Sequence, residues 1–318
     1  MKKNEMELPI LEIEHLSHRY NIQWAIRDVN FRISRKGIYG LLGSNGAGKS
    51  TTMNIMCGVI KQTDGLVKIH GLETLKQGKE AKMKIGFLPQ NPPLYGDLTV
   101  EEYLELCAHL HYIPKEDIKK AIGKVLEQCS IAHFRKRLIK SLSGGYRQRV
   151  GIAQAIIHKP EVVILDEPTN GLDPNQIIDI RYLIKQISED STVILSTHIL
   201  QEVQAMCDHI IMIEQGKVVF NDTLERFDNY IQPYNLLVSF MNPPSHESLR
   251  SIPGVMNLDE LAANRFRLSY KDVREVTDEL LRRSAEFDWR PMEVRVERSS
   301  LEVIFKELST RKDKEIYV

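Results

Sequence analysis

Hydrophobic and polar positions fall into two alternating patterns over the first two thirds of the chain. Short, nearly continuous apolar runs stand at KGIYGLLG (36–43), KIGFLPQ (84–90), VVILDEP (162–168) and TVILSTH (192–198). Between them lie stretches with apolar residues three and four apart: STTMNIMCGVI (50–60), TVEEYLELCAHLHY (99–112), KEDIKKAIGKVLEQCSI (115–131) and IIDIRYLIKQIS (177–188). The run after Ser143 belongs with these, with Val150, Ile152, Ala153 and Ile156 at helical spacing. The first kind predicts buried strands and the second helices, so the chain reads as α/β with its main sheet covered on both faces. LPILEIEHL (8–16), VNFRI (29–33) and LVKIHG (66–71) add strands, and HIIMIEQGKVVF (209–220) a closing hairpin. From Thr99 to about Ser141 only helical patterns occur, which predicts a separate helical subdomain.

The pattern changes after Thr223, past breakers at Gln232–Pro233 and Asn242–Pro243–Pro244. Residues 234–297 read strand, helix, strand, strand, helix, strand, a β-α-β-β-α-β order of ferredoxin-like type, with one more helix at SLEVIFKEL (300–308). Val273, Val276, Leu280 and Leu281 are expected on one face of the second helix. No glycine loop, paired carboxylate or metal-ligand spacing occurs in this part. It is expected to bind a partner or to regulate.

Composition narrows the class without changing the picture. A chain of 318 residues has room for two cores. With 42% hydrophobic and 27% charged residues it is of ordinary globular type. A formal net charge of zero argues against a broad nucleic-acid surface, so no nucleic-acid partner is expected. No apolar core follows the two lysines at the start, and no run approaches the roughly 20 apolar residues of a spanning helix. A cytoplasmic chain is therefore expected, meeting any membrane from outside the bilayer. Cys57, Cys107, Cys129 and Cys207 show neither zinc nor disulfide spacing and are expected as buried small residues.

The strongest chemical signal is GSNGAGKST: Gly43, Ser44, Asn45, Gly46, Ala47, Gly48, Lys49, Ser50 and Thr51. It stands between a strand and a helix and fits the phosphate-binding loop pattern. Its glycines allow successive N–H groups to converge on an anion, Lys49 is placed to bridge the outer phosphates, and the Ser50 hydroxyl is placed for Mg²⁺. Asp166 and Glu167 emerge where a buried strand ends, at the carboxyl edge of the sheet. Asp166 suits a water-bridged Mg²⁺ and Glu167 the general base for an attacking water, although an acidic pair after a strand is also a common surface turn. Three residues are ambiguous singly. His198 is a site residue or a cap, Gln90 a ligand or a strand end, and Tyr20 a purine-stacking ring or a core-edge aromatic. A second glycine-bearing helix start, Ser143–Gly144–Gly145, suits an anion through its N–H groups but has no lysine.

Taken together, and in this order, these pieces resemble the nucleotide-binding subunits of ABC transporters. Tyr20 corresponds to the adenine-stacking loop, GSNGAGKS to the phosphate loop and Gln90 to the Q-loop. LSGG (142–145) corresponds to the signature, VVILDE to the strand with its carboxylates, GLDP (171–174) to the D-loop and His198 to the switch. The resemblance covers roughly residues 8–225. It implies a P-loop ATPase core with an antiparallel β subdomain and a helical subdomain at about 91–145. The domains are then 1–225 and 226–318, the second ferredoxin-like. It further implies ATP and Mg²⁺, with Ser50, Gln90 and Asp166 at the metal and Glu167, His198 and Gln90 at the reaction centre. Two ATPase subunits, identical or related, would pair head to tail, so that Ser143, Gly144 and Gly145 meet the phosphate held by the partner's Lys49. Asp173 would link the two sites and His198 would sense the γ-phosphate. Glycine in the signature is expected because a Cβ would hold the backbone off that phosphate. Tyr146 stands where LSGGQ has Gln, either as first-turn packing or as a ligand contact.

TNGLDP, LSTHILQEV and GKVVFNDTLE are similar to bacterial exporter ATPases of the drug-resistance, lipid and gliding-motility groups. That implies a separate membrane permease, with the chain peripheral on the inner face of the membrane. The permease would dock at Asn91–Leu98 through Leu94 and Tyr95, a stretch that also reads as a plain Pro-rich loop. The basic run Phe134–Lys140 is expected as a solvated helix face. The alternative class is a soluble ABC-type ATPase of translation or DNA repair, but neither a second motif set nor a coiled-coil or zinc insertion appears. A P-loop kinase would leave LSGG, GLDP and His198 without roles.

Overall fold

The computed structural model describes residues 8–228 and 235–297. The chain divides into two compact units, one running to Leu224 and the other beginning at Glu225. The first unit begins with β1 (Leu11–Tyr20), β2 (Gln23–Ile33), β3 (Ile38–Leu42), α1 (Lys49–Met56), β4 (Asp64–Ile69), β5 (Leu72–Glu73), α2 (Gly78–Met83) and β6 (Ile85–Leu88). The helical stretch comes next as α3 (Val100–Leu110), α4 (Lys115–Gln128) and α5 (Gly144–Ile156). The unit closes with β7 (Val162–Asp166), α6 (Pro174–Asp190), β8 (Thr192–Thr197), α7 (Leu200–Met206), β9 (His209–Glu214) and β10 (Lys217–Thr223). The short α8 (Leu224–Asp228) lies at the boundary.

Two sheets build this unit. The larger has the order β10-β9-β3-β8-β7-β6; β9, β3, β8, β7 and β6 run parallel and β10 returns antiparallel. Every residue of β3, β7 and β8 is buried, as continuous apolar runs require of strands covered on both sides. The smaller sheet is antiparallel, β2-β1-β4-β5. Its Leu11, Ile13, Leu16, Ile26 and Val29 share one core with Met53, Ile55 and Met56 of α1 and with Leu41, Ile164 and Ile194 of the larger sheet. On the larger sheet Gly40 is closely approached: a Cβ there would lie 2.9 Å from Cys207 Sγ, at the end of α7. All four cysteines are buried and free.

The helical stretch starts on a reciprocal cap: the Thr99 side chain accepts from the Glu102 N–H, while the Glu102 carboxylate accepts from the Thr99 N–H. The basic run departs from expectation. Phe134–Lys140 is not a helix face but a loop between two short 3-10 turns, Ala132–Phe134 and Ile139–Ser141. The run is solvated, with Lys136, Arg137 and Lys140 exposed; Arg135 pairs with Glu101, Lys140 with Asp97 at 2.7 Å, and Arg137 lies 5.4 Å over the Phe134 ring. α2 and β5 were not legible because six and two residues are too few to show a period.

The second unit contains β11 (Asn235–Phe240), α9 (His246–Arg250), β12 (Val255–Ala262), β13 (Arg265–Tyr270), α10 (Val273–Glu286) and β14 (Pro291–Glu297). Its sheet has the order β12-β13-β11-β14 with all neighbours antiparallel. Leu236, Val238, Phe266 and Leu268 meet Leu249 of α9 and Val276 and Leu280 of α10 in one core. Leu281 does not join that face and is 46% exposed, because a step of one residue turns the helix by about 100° away from Leu280. The helix expected at 300–308 lies outside the described residues.

Candidate functional site

Five parallel strands bring their carboxyl ends to one edge of the larger sheet, and the phosphate loop, Gln90, Asp166, Glu167 and His198 lie at or just beyond those ends. The phosphate loop leaves β3 and enters α1, with Gly46 at φ 82° and Gly48 at φ 109°. Both are left-handed conformations that glycine adopts without a Cβ penalty. A Cβ on Gly43 would meet the Ile213 carbonyl at 2.1 Å, while one on Gly46 would meet nothing within 4 Å. Gly43 is therefore fixed by the neighbouring strand, and Gly46 by the curl of the loop. The loop is braced from the β9–β10 turn: the Gly216 N–H donates to the Ala47 carbonyl, and the Glu214 carboxylate accepts from the Ser44 N–H and from the Ser44 hydroxyl at 2.7 Å.

Lys49 is buried and donates from Nζ to the carbonyls of Gly43 (2.8 Å) and Ser44 (3.0 Å). Burial holds its ammonium below the usual lysine range, and the charges of Glu167, Asp166 and Glu214 act in the opposite sense. The cation is thus stored inside the loop on two carbonyls, within the field of three carboxylates. Ser50 and Thr51 stand in the first turn of α1, Ser50 exposed and Thr51 half-buried.

Asp166 ends β7 and is buried; its Oδ1 accepts the Ser196 hydroxyl. That hydroxyl in turn accepts the Glu167 N–H at 2.9 Å. Ser196 therefore orients both acidic residues, and β8 fixes where β7 stops. Glu167 itself has φ 48°, a left-handed conformation for a residue with a Cβ, of order 1 kcal/mol or more in cost. The turn aims its carboxylate at three donors: Gln90 Nε2 (3.2 Å), Asn170 Nδ2 (3.2 Å) and His198 Nδ1 (3.1 Å). Because the carboxylate can only accept, the His198 proton is on Nδ1 in this pair. The end of β8 is anchored by Thr197, whose hydroxyl donates to the buried Glu202 at 2.7 Å and accepts the Ile199 N–H. Tyr20 ends β1, 52% exposed, with the His18 ring edge-on at 4.7 Å.

A second group forms around the start of α5. Ser143 is the N-cap, but its side chain makes no cap hydrogen bond. Ser143 and Gly144 are exposed, and a Cβ on Gly144 would meet nothing within 4 Å. Gly145 is buried for another reason than the one expected. A Cβ there would lie 2.5 Å from the Gln176 side chain, so any larger residue would have to displace the Gln176 amide from its place. Asp173 caps α6, accepting the N–H groups of Asn175 (3.1 Å) and Gln176 (3.0 Å). Tyr146 packs its ring edge-on against Phe134 at 4.5 Å and against His133 at 6.0 Å. Among the described residues no hydrogen bond or ion pair joins Ser143–Gly145 to the phosphate loop. The sequence brought Lys49, Asp166, Glu167, Gln90 and His198 to attention. It did not single out Ser196, Asn170 and Glu214, each a polar residue at a strand end or a turn, or Glu202, an acidic residue in the first turn of α7.

A lysine-bearing phosphate loop facing an oriented carboxylate pair at the strand ends defines a P-loop ATPase. A family model described as "ABC transporter" matches residues 26–170. The bacitracin transport ATP-binding protein BcrA of Bacillus licheniformis is 40% identical over 212 residues, 66% of this chain and 68% of that protein. The linearmycin resistance ATP-binding protein LnrL of Bacillus subtilis (strain 168) is 32% identical over 311 residues, 95% of this chain and 99% of that protein. Among solved structures, an ATP-binding subunit of an ABC transporter aligns with TM-score 0.64 and 29% identity over 70% of this chain and 92% of that one. A dimeric ATP-binding cassette described in a post-hydrolysis state with ADP and Pi aligns with TM-score 0.62 and 28% identity, over 67% and 98%. The chain belongs to the ATP-binding subunits of ABC transporters and is an ATPase.

Proposed function

We propose that the chain pairs head to tail with a second ATPase subunit and, in that pair, drives a separate membrane permease in export, from the inner face of the membrane. The observation that carries this is the division of the two cradles. One holds Lys49 beside Asp166 and Glu167, and the other, at Ser143–Gly144, is exposed and carries no lysine. The dimeric cassette among the structural relatives and the transport and resistance subunits among the sequence relatives support the same reading. Among the described residues no helix is long and apolar enough to cross a membrane.

The residues present fit MgATP. The curled loop offers N–H groups and Lys49 to the phosphates, and the Ser50 hydroxyl, the Asp166 carboxylate and the Gln90 amide are oxygen ligands of the kind Mg²⁺ takes. Bound there, Mg²⁺ neutralises charge on the β- and γ-phosphates. Glu167 acts as the base for the attacking water, with Gln90, Asn170 and His198 fixing its carboxylate. Tyr20 stacks on the adenine ring. Ser143 and the N–H groups at the start of α5 receive the partner's γ-phosphate, with the helix dipole favouring the charge. Asp173 faces the partner across the interface, and His198 responds to the γ-phosphate.

The permease docks beside Gln90, at Asn91–Leu98, where Tyr95 is 60% exposed. The second unit, with its β-α-β-β-α-β order, is a ferredoxin-like module for regulation or partner binding. The test is Glu167→Gln. ATP binding is expected to persist while turnover falls about 10²- to 10⁴-fold, because the water loses its base. Unchanged turnover would overturn the assignment of the base.

A further inference from the structure

The amide of Gln176 occupies the space a side chain at Gly145 would take. A methyl carbon built on Gly145 would lie 2.5 Å from Gln176 Cδ, 2.5 Å from Oε1 and 2.9 Å from Nε2, so the whole amide plane lies against the glycine. Gln176 is in the first turn of α6, and its own N–H is held by the Asp173 cap. Two further side chains on the same face of α5 reach the same stretch of chain. Gln148 Nε2 donates to the Pro168 carbonyl at 2.8 Å, and Arg149 Nη2 to Asp179 at 2.7 Å. Positions 145, 148 and 149 are three and four apart and so lie on one helix face. The stretch they grip begins at Glu167, whose carbonyl accepts the Asn170 N–H and whose carboxylate accepts the Asn170 side chain.

We propose that Gln176 is a positioning residue for ATP turnover: seated in the slot left by Gly145, it locks the start of α5 to the start of α6. The cradle offered to a partner's phosphate and the segment carrying this chain's own base then shift as one body. The proposal rests on the head-to-tail reading and assigns a link within one chain that the reading does not contain. Packed elements have discrete arrangements rather than continuous ones, so a filled slot transmits a displacement where an empty one absorbs it. Gln176 touches neither nucleotide on this account. It acts through Gly145.

The test uses the full chain with MgATP. Gln176→Ala is expected to leave ATP binding by the monomer and the thermal midpoint unchanged and to lower kcat about tenfold, since small misplacements of positioned groups carry such losses. Gln176→Met, similar in length without the amide, reports whether filling the slot suffices; kcat close to that of the native chain is expected. Gly145→Ala is expected to lower kcat, and Gly145→Ala combined with Gln176→Ala to recover part of the loss, because the added methyl then has room. In a Glu167→Gln background, ATP-driven pairing measured by light scattering is expected to weaken with Gln176→Ala. Unchanged kcat in Gln176→Ala overturns the proposal, as does a loss of monomer ATP binding in step with kcat, which marks a merely structural role. If the Glu167→Gln chain stays monomeric with ATP, the head-to-tail reading itself fails and this proposal with it. If the pair forms equally well with and without Gln176→Ala, this proposal alone fails.

Discussion

The two glycine-bearing helix starts of this chain look alike in sequence and share a helix N-terminus, but differ in how the chain encloses them. At Gly43–Thr51 the backbone turns through left-handed glycines, a buried lysine is tied to two carbonyls, and the loop is braced by Glu214 and Gly216. At Ser143–Gly145 the glycines are helical, the cap side chain makes no cap hydrogen bond, and the first two residues face solvent. The first cradle is closed by its own chain. The second is held from behind, by Gln176, Gln148 and Arg149, and is open in front. A phosphate site needs a curl of N–H groups and a cation together, or needs its remainder from elsewhere. The difference teaches that a helix N-terminus supplies direction and partial charge, but only the loop supplies enclosure.

The largest effect should come from breaking the closed cradle. Lys49→Ala removes the cation stored in the loop. Nucleotide affinity is expected to fall about 100-fold or more, the scale of losing a buried charge-assisted contact. Fluorescent-nucleotide titration of the full chain measures this, and affinity within a factor of about three of the native value would break the comparison. Next comes the open cradle. Ser143→Arg fills the exposed start of α5 with a long side chain. Turnover is expected to disappear while ATP binding to the monomer stays near native. If monomer binding is lost as well, the signature serves its own chain's nucleotide and the two cradles form one site.

Legibility in the sequence divides along the same line. The closed cradle, the acidic pair and the alternating strands and helices were readable because each is a local pattern whose residues are contiguous. Gln90 and His198 were readable only as members of an ordered set, since a lone Gln or His at a strand end carries little by itself. The braces were not readable. Ser196 lies 30 residues from Asp166, and Glu214 lies 170 residues from Ser44. Nothing in either neighbourhood reveals which strand ends will be adjacent. Leu281, apolar and beside Leu280, reads as part of the same face, and the helical step of about 100° turns it away. Phe134–Lys140 reads as a solvated helix from its run of charge, but Arg135 and Lys140 pair with Glu101 and Asp97, 34 and 43 residues away, which no neighbouring residue reveals.

A smaller effect tests how the far end of the signature helix is held. His158, just beyond α5, stacks on His111, at the end of α3, with ring centroids 3.6 Å apart. Its Nε2 donates to the Ile85 carbonyl at 3.0 Å. Burial, with the neighbouring His111 second, pushes the His158 imidazole down to about 4 from its ordinary 6.5, against the Ile85 hydrogen bond. Burial alone lowers His111. Between those pH values the unfolded chain binds the proton that the folded chain refuses. The stability contribution is therefore complete above about pH 6.5 and lost as pH falls toward 4, on the order of 3 kcal/mol in all. His158→Gln keeps a donor for Ile85 and removes the titration. Its thermal midpoint should fall less than that of the native chain between about pH 7 and about pH 5. Parallel curves for the two chains would mean that other groups dominate acid unfolding.

The smallest expected effect concerns Tyr146. The ring lies edge-on to Phe134 at 4.5 Å and to His133 at 6.0 Å, so it seals the first turn of α5 against the 3-10 turn at 132–134. Packing of that kind contributes about 1 kcal/mol beyond area burial. Tyr146→Ala should lower the unfolding free energy by at least that much, since area burial is lost as well, read from denaturant melts, while Tyr146→Phe should be neutral because the hydroxyl is not what packs. Turnover should be unchanged in Tyr146→Phe. A loss of turnover there would mean that the hydroxyl reaches the nucleotide or the partner, and that Tyr146 belongs to the front of the open cradle. The ring geometry assigns it to the back, with Gln176, Gln148 and Arg149, where side chains hold the helix start in place and leave its N–H groups facing outward.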